Sequence, residues 1–261
     1  MRNRTIIFVH ILKSGGTSLS HSVRIANNYT KDEYLIWPYD IRNTDPEYFS
    51  QWPLEKREKL KYIAGHVHFG IHKFIQNPTT YITMIRHPLE RILSAISQAT
   101  QTKQATGNSP WRYFQAGIKR IKLNEIGNKN IDTISFYLCN HATKMLSGAY
   151  QDNPIPYIKM TREHLERAKE NIENHFSFVC CTEDLDNNWE KIAKKFDWHW
   201  HQDQEIRERH RHINHGIEQK ILANEISLSL RDQILEENQL DIELYDYIKQ
   251  HSDRIYNKEL C

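Results

Sequence analysis

The feature that most constrains this chain is a six-residue turn, Lys13-Ser14-Gly15-Gly16-Thr17-Ser18, wedged between a short apolar run and an amphipathic one. The run before it, Thr5-Ile6-Ile7-Phe8-Val9-His10-Ile11, is β-branched and aromatic, the pattern of a buried strand. After the turn, Leu19, Val23 and Ala26 recur at helical spacing, so a helix starts near Gly16 or Thr17. In open α/β sheets, ligands sit beyond the carboxyl ends of the strands, where this turn lies. A loop feeding a helix presents unpaired backbone N–H groups and the positive end of the helix dipole. Gly15 and Gly16 let that backbone approach an anion, Lys13 adds a charge, and Ser14, Thr17 and Ser18 add hydroxyl donors. The product is a cradle for phosphate or sulfonate. It is not a Walker A loop, which places its Lys after the glycines, whereas Lys13 precedes both. A tight βα turn with an exposed lysine is the plainer alternative.

The rest of the chain repeats the strand–helix alternation. Residues 28–60 read as irregular, becoming helical around Leu54–Leu60, and Tyr62-Ile63-Ala64 is a short strand. Thr80 to Arg86 is a strand that stops at His87-Pro88. Leu89, Ile92, Leu93 and Ile96 then mark a helix with Pro in its first turn. Further helices are expected near 131–146 and 162–174, a buried strand at Phe176–Cys181, and a helix from there through Phe196. Residues 197–216 read as a His- and Arg-rich loop, and 217–251 as a helix with Ile217, Ile221, Ile226, Leu230 and Ile234 loosely periodic. These elements predict one α/β domain over 1–261, a three-layer fold with a central, mainly parallel sheet flanked by helices. The polar and aromatic stretch 99–130 reads as an insertion over the site.

Composition narrows the function classes. Thirty-five basic against 33 acidic residues leave a formal charge of only +2, which argues against a nucleic-acid binder. No apolar stretch approaches the roughly 18 residues of a membrane span, and the first apolar run is too short for an export signal. Cys139, Cys180, Cys181 and Cys261 lack C-x-x-C spacing, so a disulfide framework or cysteine metal site has no support. The reading is a cytoplasmic protein with no transmembrane segment.

A second anion grip lies at the junction Arg86-His87-Pro88-Leu89-Glu90-Arg91-Ile92-Leu93-Ser94. Arg86 ends a buried strand and can hold a phosphate in bidentate fashion, with Ser94 two helical turns along. A salt bridge to Glu90 is the competing role for Arg86. Phe8 to Leu19 resembles the 5′-phosphosulfate loop of sulfotransferases that use 3′-phosphoadenosine 5′-phosphosulfate (PAPS), closest to the carbohydrate branch with the heparan sulfate 2-O-sulfotransferases, F-I-H-I-P-K-T-G-G-T-S. Arg86 to Ser94 resembles the same family's 3′-phosphate motif, R-D-P-x-E-R-x-x-S. Gly65-His66, Thr182-Glu183 and Asn238 to Tyr245 add similarity, so the resemblance covers most of the chain. Leu12 stands for the usual Pro, Ser14 for Thr and His87 for Asp. None of these removes a phosphate-binding group, although His87 lacks the carboxylate at the junction. The resemblance implies a P-loop-like fold.

A third candidate is Gly65-His66-Val67-His68-Phe69-Gly70-Ile71-His72. Neutral imidazole suits proton removal from a hydroxyl near pH 7. His66 follows a strand end and matches the 2-O-sulfotransferase catalytic histidine; His68 and His72 have weaker claims, and a hydrogen-bonded structural histidine is the alternative. Metal binding by His66, His68 and His72, or by His210, His212 and His215, fits no zinc spacing, and no metal is expected. The Arg207–His215 run is either a lid over the nucleotide or a solvated loop. Trp37, Tyr39, Trp52, Trp111 and Tyr113 could line a sugar groove or belong to the core.

The resemblance implies sulfuryl transfer from PAPS to an acceptor hydroxyl, on a glycan or glycolipid, by a monomer or homodimer. Lys13 and His66 would be catalytic. Lys13, Ser14, Gly15, Gly16, Thr17, Ser18, Arg86 and Ser94 would bind PAPS. Two other classes stay open, a nucleotide-dependent kinase or NTPase of related topology and a non-catalytic binding protein on the same fold.

Overall fold

The computed structural model describes residues 4–37, 49–101, 139–149, 159–198 and 223–258. Five strands, β1 (Thr5–Val9), β2 (Tyr34–Trp37), β3 (Tyr62–Gly65), β4 (Thr79–Ile85) and β5 (Phe176–Cys181), form one sheet in the order β2-β3-β1-β4-β5. Every pairing is parallel. Helices α1 (Gly16–Ala26), α2 (Leu54–Glu58), α3 (Pro88–Gln101), α4 (His141–Ser147), α5 (Arg162–His175), α6 (Leu185–Phe196), α7 (Leu228–Glu237) and α8 (Gln239–Tyr256), with short 3-10 turns at Ile71–Phe74 and Thr182–Asp184, complete the described elements.

The strand sequences explain the three layers. Side chains alternate across a strand, so an unbroken apolar run must be covered on both faces. Ile7, Val9, Ile63, Tyr81, Ile85, Val179 and Cys181 enter one core with Met145 of α4, Leu165 of α5 and Leu244 of α8. Ile6, Phe8, Tyr62, Ala64, Ile82, Met84, Phe178 and Cys180 enter the other, with Leu19 and Val23 of α1 and Ile192 of α6. Cys180 and Cys181 thus point to opposite faces, and burial raises both thiols, Cys181 to about 12. They are inert wall residues.

β1 lies at the centre, between β3 and β4. The chain therefore reverses its direction of travel across the sheet beside β1, the kind of point where a crevice opens at the strand ends. The buried Thr83 hydroxyl donates to the Val9 carbonyl at 2.9 Å and fixes the end of β1. The loops after β1, β3, β4 and β5 all leave from this one edge.

Three expectations change. Residues 34–37 are strand rather than irregular: β2 is a four-residue edge strand with Ile36 exposed, so it carries little of the burial that marks the inner strands. The C-terminal segment is two helices, since α7 starts at 228 behind a Ser227 cap and ends at Asn238. Buried Asn238 donates to the Ile234 carbonyl at 2.8 Å and accepts from the Asn140 N–H at 3.1 Å, which breaks the run. α8 then continues to Tyr256, past the expected end at 251. The expected helix at 131–146 is described only as α4, and most of the 99–130 stretch and of the 197–216 loop lies outside the described residues. Among the described residues no helix is long and apolar enough to cross a membrane.

Candidate active site

The glycine turn folds as its sequence requires. Lys13 and Gly15 adopt left-handed φ values of 65° and 78°, and the Ser14 N–H closes on the Ile11 carbonyl at 3.2 Å. Residues after this reversal enter α1 at Gly16, so the turn's backbone faces the helix N-terminus. A Cβ on Gly15 would lie 3.0 Å from Met84 Cε, and one on Gly16 would lie 2.2 Å from His10 Cδ2. The second glycine is therefore needed for the His10 ring, a requirement with no local trace in the sequence.

The Ser14 side chain is 1% exposed, and its Oγ has no hydrogen-bond partner among the described residues. A buried hydroxyl without a partner, just before the N-terminus of α1, is an orphaned polar group of the kind that a bound ligand satisfies. Thr17 is exposed in the first turn of α1, and the side chain of Ser18 is not among those described. Thr182, at the end of β5, places its hydroxyl 3.1 Å from both the Ser14 and the Ile85 carbonyls. It ties the first turn to the end of β4. Leu12 packs against the cluster containing Leu89 and Ile92 of α3, which links the turn to the Arg86–Ser94 junction.

That junction sits at the start of α3. Arg86 is half-buried and touches Glu90 through Nη2 at 3.5 Å, the pairing that the sequence left as the alternative. The contact is at the limit of a hydrogen bond and engages one nitrogen of a five-donor fork. Glu90, Ser94 and Gln98 are partly exposed in a helix otherwise buried through Ala99, so Ser94 lies on the Arg86–Glu90 side of α3, one turn beyond Glu90. His87, in place of the family's Asp, turns its N–H toward Glu183 Oε1 at 3.5 Å and packs edge-on to the Tyr245 ring, 5.4 Å between centroids. The Tyr245 hydroxyl reaches Glu183 Oε2 at 3.4 Å. A carboxylate from the next loop and a ring from α8 thus hold the junction.

The histidines divide. His10 stacks on His66 with centroids 4.6 Å apart and planes 21° from parallel. Burial, then His66, then Lys13 push the His10 pKa well below the usual imidazole value, so the charge of Lys13 reaches this stack. Burial lowers His66 to about 4, and a hydrogen bond with the His10 backbone partly offsets that. His66 is therefore neutral at pH 7, the form that accepts a proton. His68 is buried and held near 3 by burial and by Lys144. His72 departs from the group: its Nδ1 lies 2.9 Å from the Tyr81 hydroxyl, and its ring packs on His175 and Phe69. It belongs to an aromatic cluster on the sheet's flank.

Sequence reasoning overlooked His141. Burial, then the charges of Arg91, His66, Lys144 and His68, drive its pKa well down, which sets it among the same groups. No motif marks it, because the β3 loop and α4 meet only through the fold. Trp52, offered as a groove residue, packs against the core and Phe49, with the Lys56 ammonium 4.2 Å over its ring. Tyr39, Trp111, Tyr113, Arg207–His215 and the second histidine trio lie outside the described residues, as does the Trp37 side chain. Among the described residues no group of three or more His, Cys, Asp or Glu is arranged to hold a metal ion.

The strand ends thus bring together the Lys13–Ser18 turn at the start of α1, Arg86 on the neighbouring loop, and the neutral imidazole of His66 stacked on His10. Comparison with protein families matches residues 2–248 to the model described as the sulfotransferase family. Comparison with curated proteins finds no match.

Proposed function

The chain belongs to the sulfotransferase family, and from that premise we propose that it moves a sulfuryl group from PAPS to an acceptor hydroxyl on a carbohydrate. The observation that carries this reading is the juxtaposition of the Lys13–Ser18 cradle, with its buried open Ser14 hydroxyl, and His66 across the His10 stack. The donor set fits the nucleotide. Lys13, Ser14 and the N–H groups at the start of α1 would hold the 5′-phosphosulfate, and Arg86 with Ser94 the 3′-phosphate.

PAPS, when bound, supplies a sulfuryl group already joined to a phosphate leaving group. His66 takes the proton of the acceptor hydroxyl as the new oxygen–sulfur bond forms. Lys13 and the loop amides offset the negative charge that gathers on the departing phosphate oxygen, the largest electrostatic demand of the step. A base held near pKa 4 is weak, but an anion bound beside it favours the imidazolium and raises that value when proton transfer needs it. Thr182 and Thr83 keep the cradle fixed to the sheet while charge moves.

The carbohydrate acceptor is supported by the likeness of Phe8–Leu19 and Gly65-His66 to the heparan sulfate 2-O branch. Incubation with sulfur-labelled PAPS and pools of glycans, glycolipids and phenols, followed by mass spectrometry, tests the reading. Label on a glycan is expected. Label on a phenol alone would overturn the carbohydrate assignment, and label on no acceptor would overturn the activity.

A further inference from the structure

The two loops that the proposed step uses belong to different strands, and the sheet ladder stops short of both. β1 and β4 are paired as far as Val9 opposite Thr83. Lys13 lies beyond that point in the turn after β1, and Arg86 lies beyond it at the end of β4. The link between them comes from β5, which pairs with β4 and stands two places from β1 in the sheet.

Thr182 follows β5 directly, and its side chain crosses the end of β4. The hydroxyl hydrogen is shared between the Ile85 and Ser14 carbonyls, each 3.1 Å from Oγ1. On the other branch of the same side chain, Cγ2 lies 3.4 Å from where a Cβ on Gly15 would stand, so the methyl covers the glycine turn. The next residue, Glu183, faces the His87 N–H with one oxygen at 3.5 Å and the Tyr245 hydroxyl of α8 with the other at 3.4 Å. Arg86 is thus flanked on both sides. Ile85 before it is held by Thr182 and His87 after it by Glu183, and Thr182 also reaches the turn that bears Lys13.

We propose that Thr182 is a positioning residue that sets the separation of Lys13 and Arg86, so that one nucleoside 3′,5′-diphosphate engages both. The inference rests on the PAPS reading above. The two phosphates of that ligand are carried by one ribose, so covalent geometry limits how far apart they can be. A protein that holds one of them gains the other intramolecularly, but only while its own two groups match the span. Without the shared hydrogen, the Ser14 and Ile85 carbonyl oxygens face each other across an apolar group, and an acceptor left unpaired is costly. The loops relieve that cost by moving apart, and a shift of about 1 Å is enough to spoil a two-point fit.

The test is calorimetry with adenosine 3′,5′-diphosphate on the unsubstituted protein, Thr182→Val, Arg86→Ala and the double substitution. Val keeps the methyl over Gly15 and puts a second methyl where the hydroxyl was. The expected result is an affinity lowered by about 10- to 100-fold in Thr182→Val, the range for leaving acceptors unmet. Arg86→Ala should then cost distinctly less in that background than alone, a coupling between sites on different strands. Thr182→Ser returns the hydroxyl and should recover most of the affinity. Unchanged affinity in a folded Thr182→Val protein overturns the proposal and leaves the PAPS reading intact. A loss that multiplies independently with that of Arg86→Ala does the same, since a local disturbance of the turn would give it. A Ser variant as weak as the Val variant also overturns it. If Thr182→Val fails to fold, Thr182→Ala removes the same hydroxyl without the added methyl, and the same readings decide. An unsubstituted protein that does not bind the diphosphate overturns both.

Discussion

Replacing Gly16 by Ala tests the cradle's geometry in a way that separates two opposing effects. Gly16 is the first residue of α1, where Ala is the better helix former by up to about 1 kcal/mol. Propensity alone therefore predicts that Gly16→Ala stabilises. The structure predicts the reverse. The new Cβ would lie 2.2 Å from His10 Cδ2 and 2.7 Å from both Cγ and Nε2, so the ring itself is struck. To restore a carbon–carbon contact of about 3.5 Å the ring must move roughly 1.3 Å. It cannot do so freely, because it lies against His66 at 4.6 Å and Phe8 at 5.7 Å. Forced repacking of this kind costs about 1–3 kcal/mol, so the net change should be a loss of about 1–2 kcal/mol. Urea denaturation followed by tryptophan fluorescence measures it. Adding His10→Ala removes the ring, and Gly16→Ala in that background should become neutral or stabilising, a coupling that a double-mutant cycle reads directly. Equal or greater stability of the single Gly16→Ala protein would refute the reasoning.

Other consequences follow from the same contacts. Asp241→Ala should destabilise the protein by about 3–5 kcal/mol, because it removes one partner of a buried ion pair with Arg91 and strips two N–H groups of α4 of their acceptor; denaturant titration reads this. Stability should fall on acidification from about pH 6.5 toward 4, measured as Tm against pH. His10, His66, His68 and His141 have native pKa values below the unfolded one, so in that window the unfolded chain binds more protons. The acid limb of kcat/KM should lie near pH 4 to 5 rather than 6.5, since the free enzyme loses its base only when His66 gains a proton. A limb at 6.5 that persists in His66→Ala would assign the base elsewhere.

Much of this was legible because β1, β4 and β5 are buried on both faces and announce themselves as apolar runs. The tight turn into α1 was legible because a Gly-Gly pair lies between a strand-like run and a helical one. β2 was not, since four residues at a sheet edge have neither length nor full burial. The break at Asn238 was not, because a polar residue inside a helical pattern reads as an exposed face until its amide is seen to pair with Asn140. Arg91, His141 and Asp241 escaped for a shared reason. Asp241 bonds to backbone 98 and 99 positions away, and no local pattern records such a contact. Arg91 appears in the sequence only as one position of the Arg86–Ser94 junction, yet it is among the largest fully buried side chains.

Calorimetry with adenosine 3′,5′-diphosphate, beside ATP with magnesium, tests the central claim most directly. The diphosphate should bind at a single site, and Arg86→Ala and Lys13→Ala should each weaken it, because the two loops grip its two phosphates. In turnover, Lys13→Ala should fall by about two to three orders of magnitude. Binding of ATP with magnesium and not of the diphosphate, or diphosphate binding indifferent to both substitutions, would contradict the account.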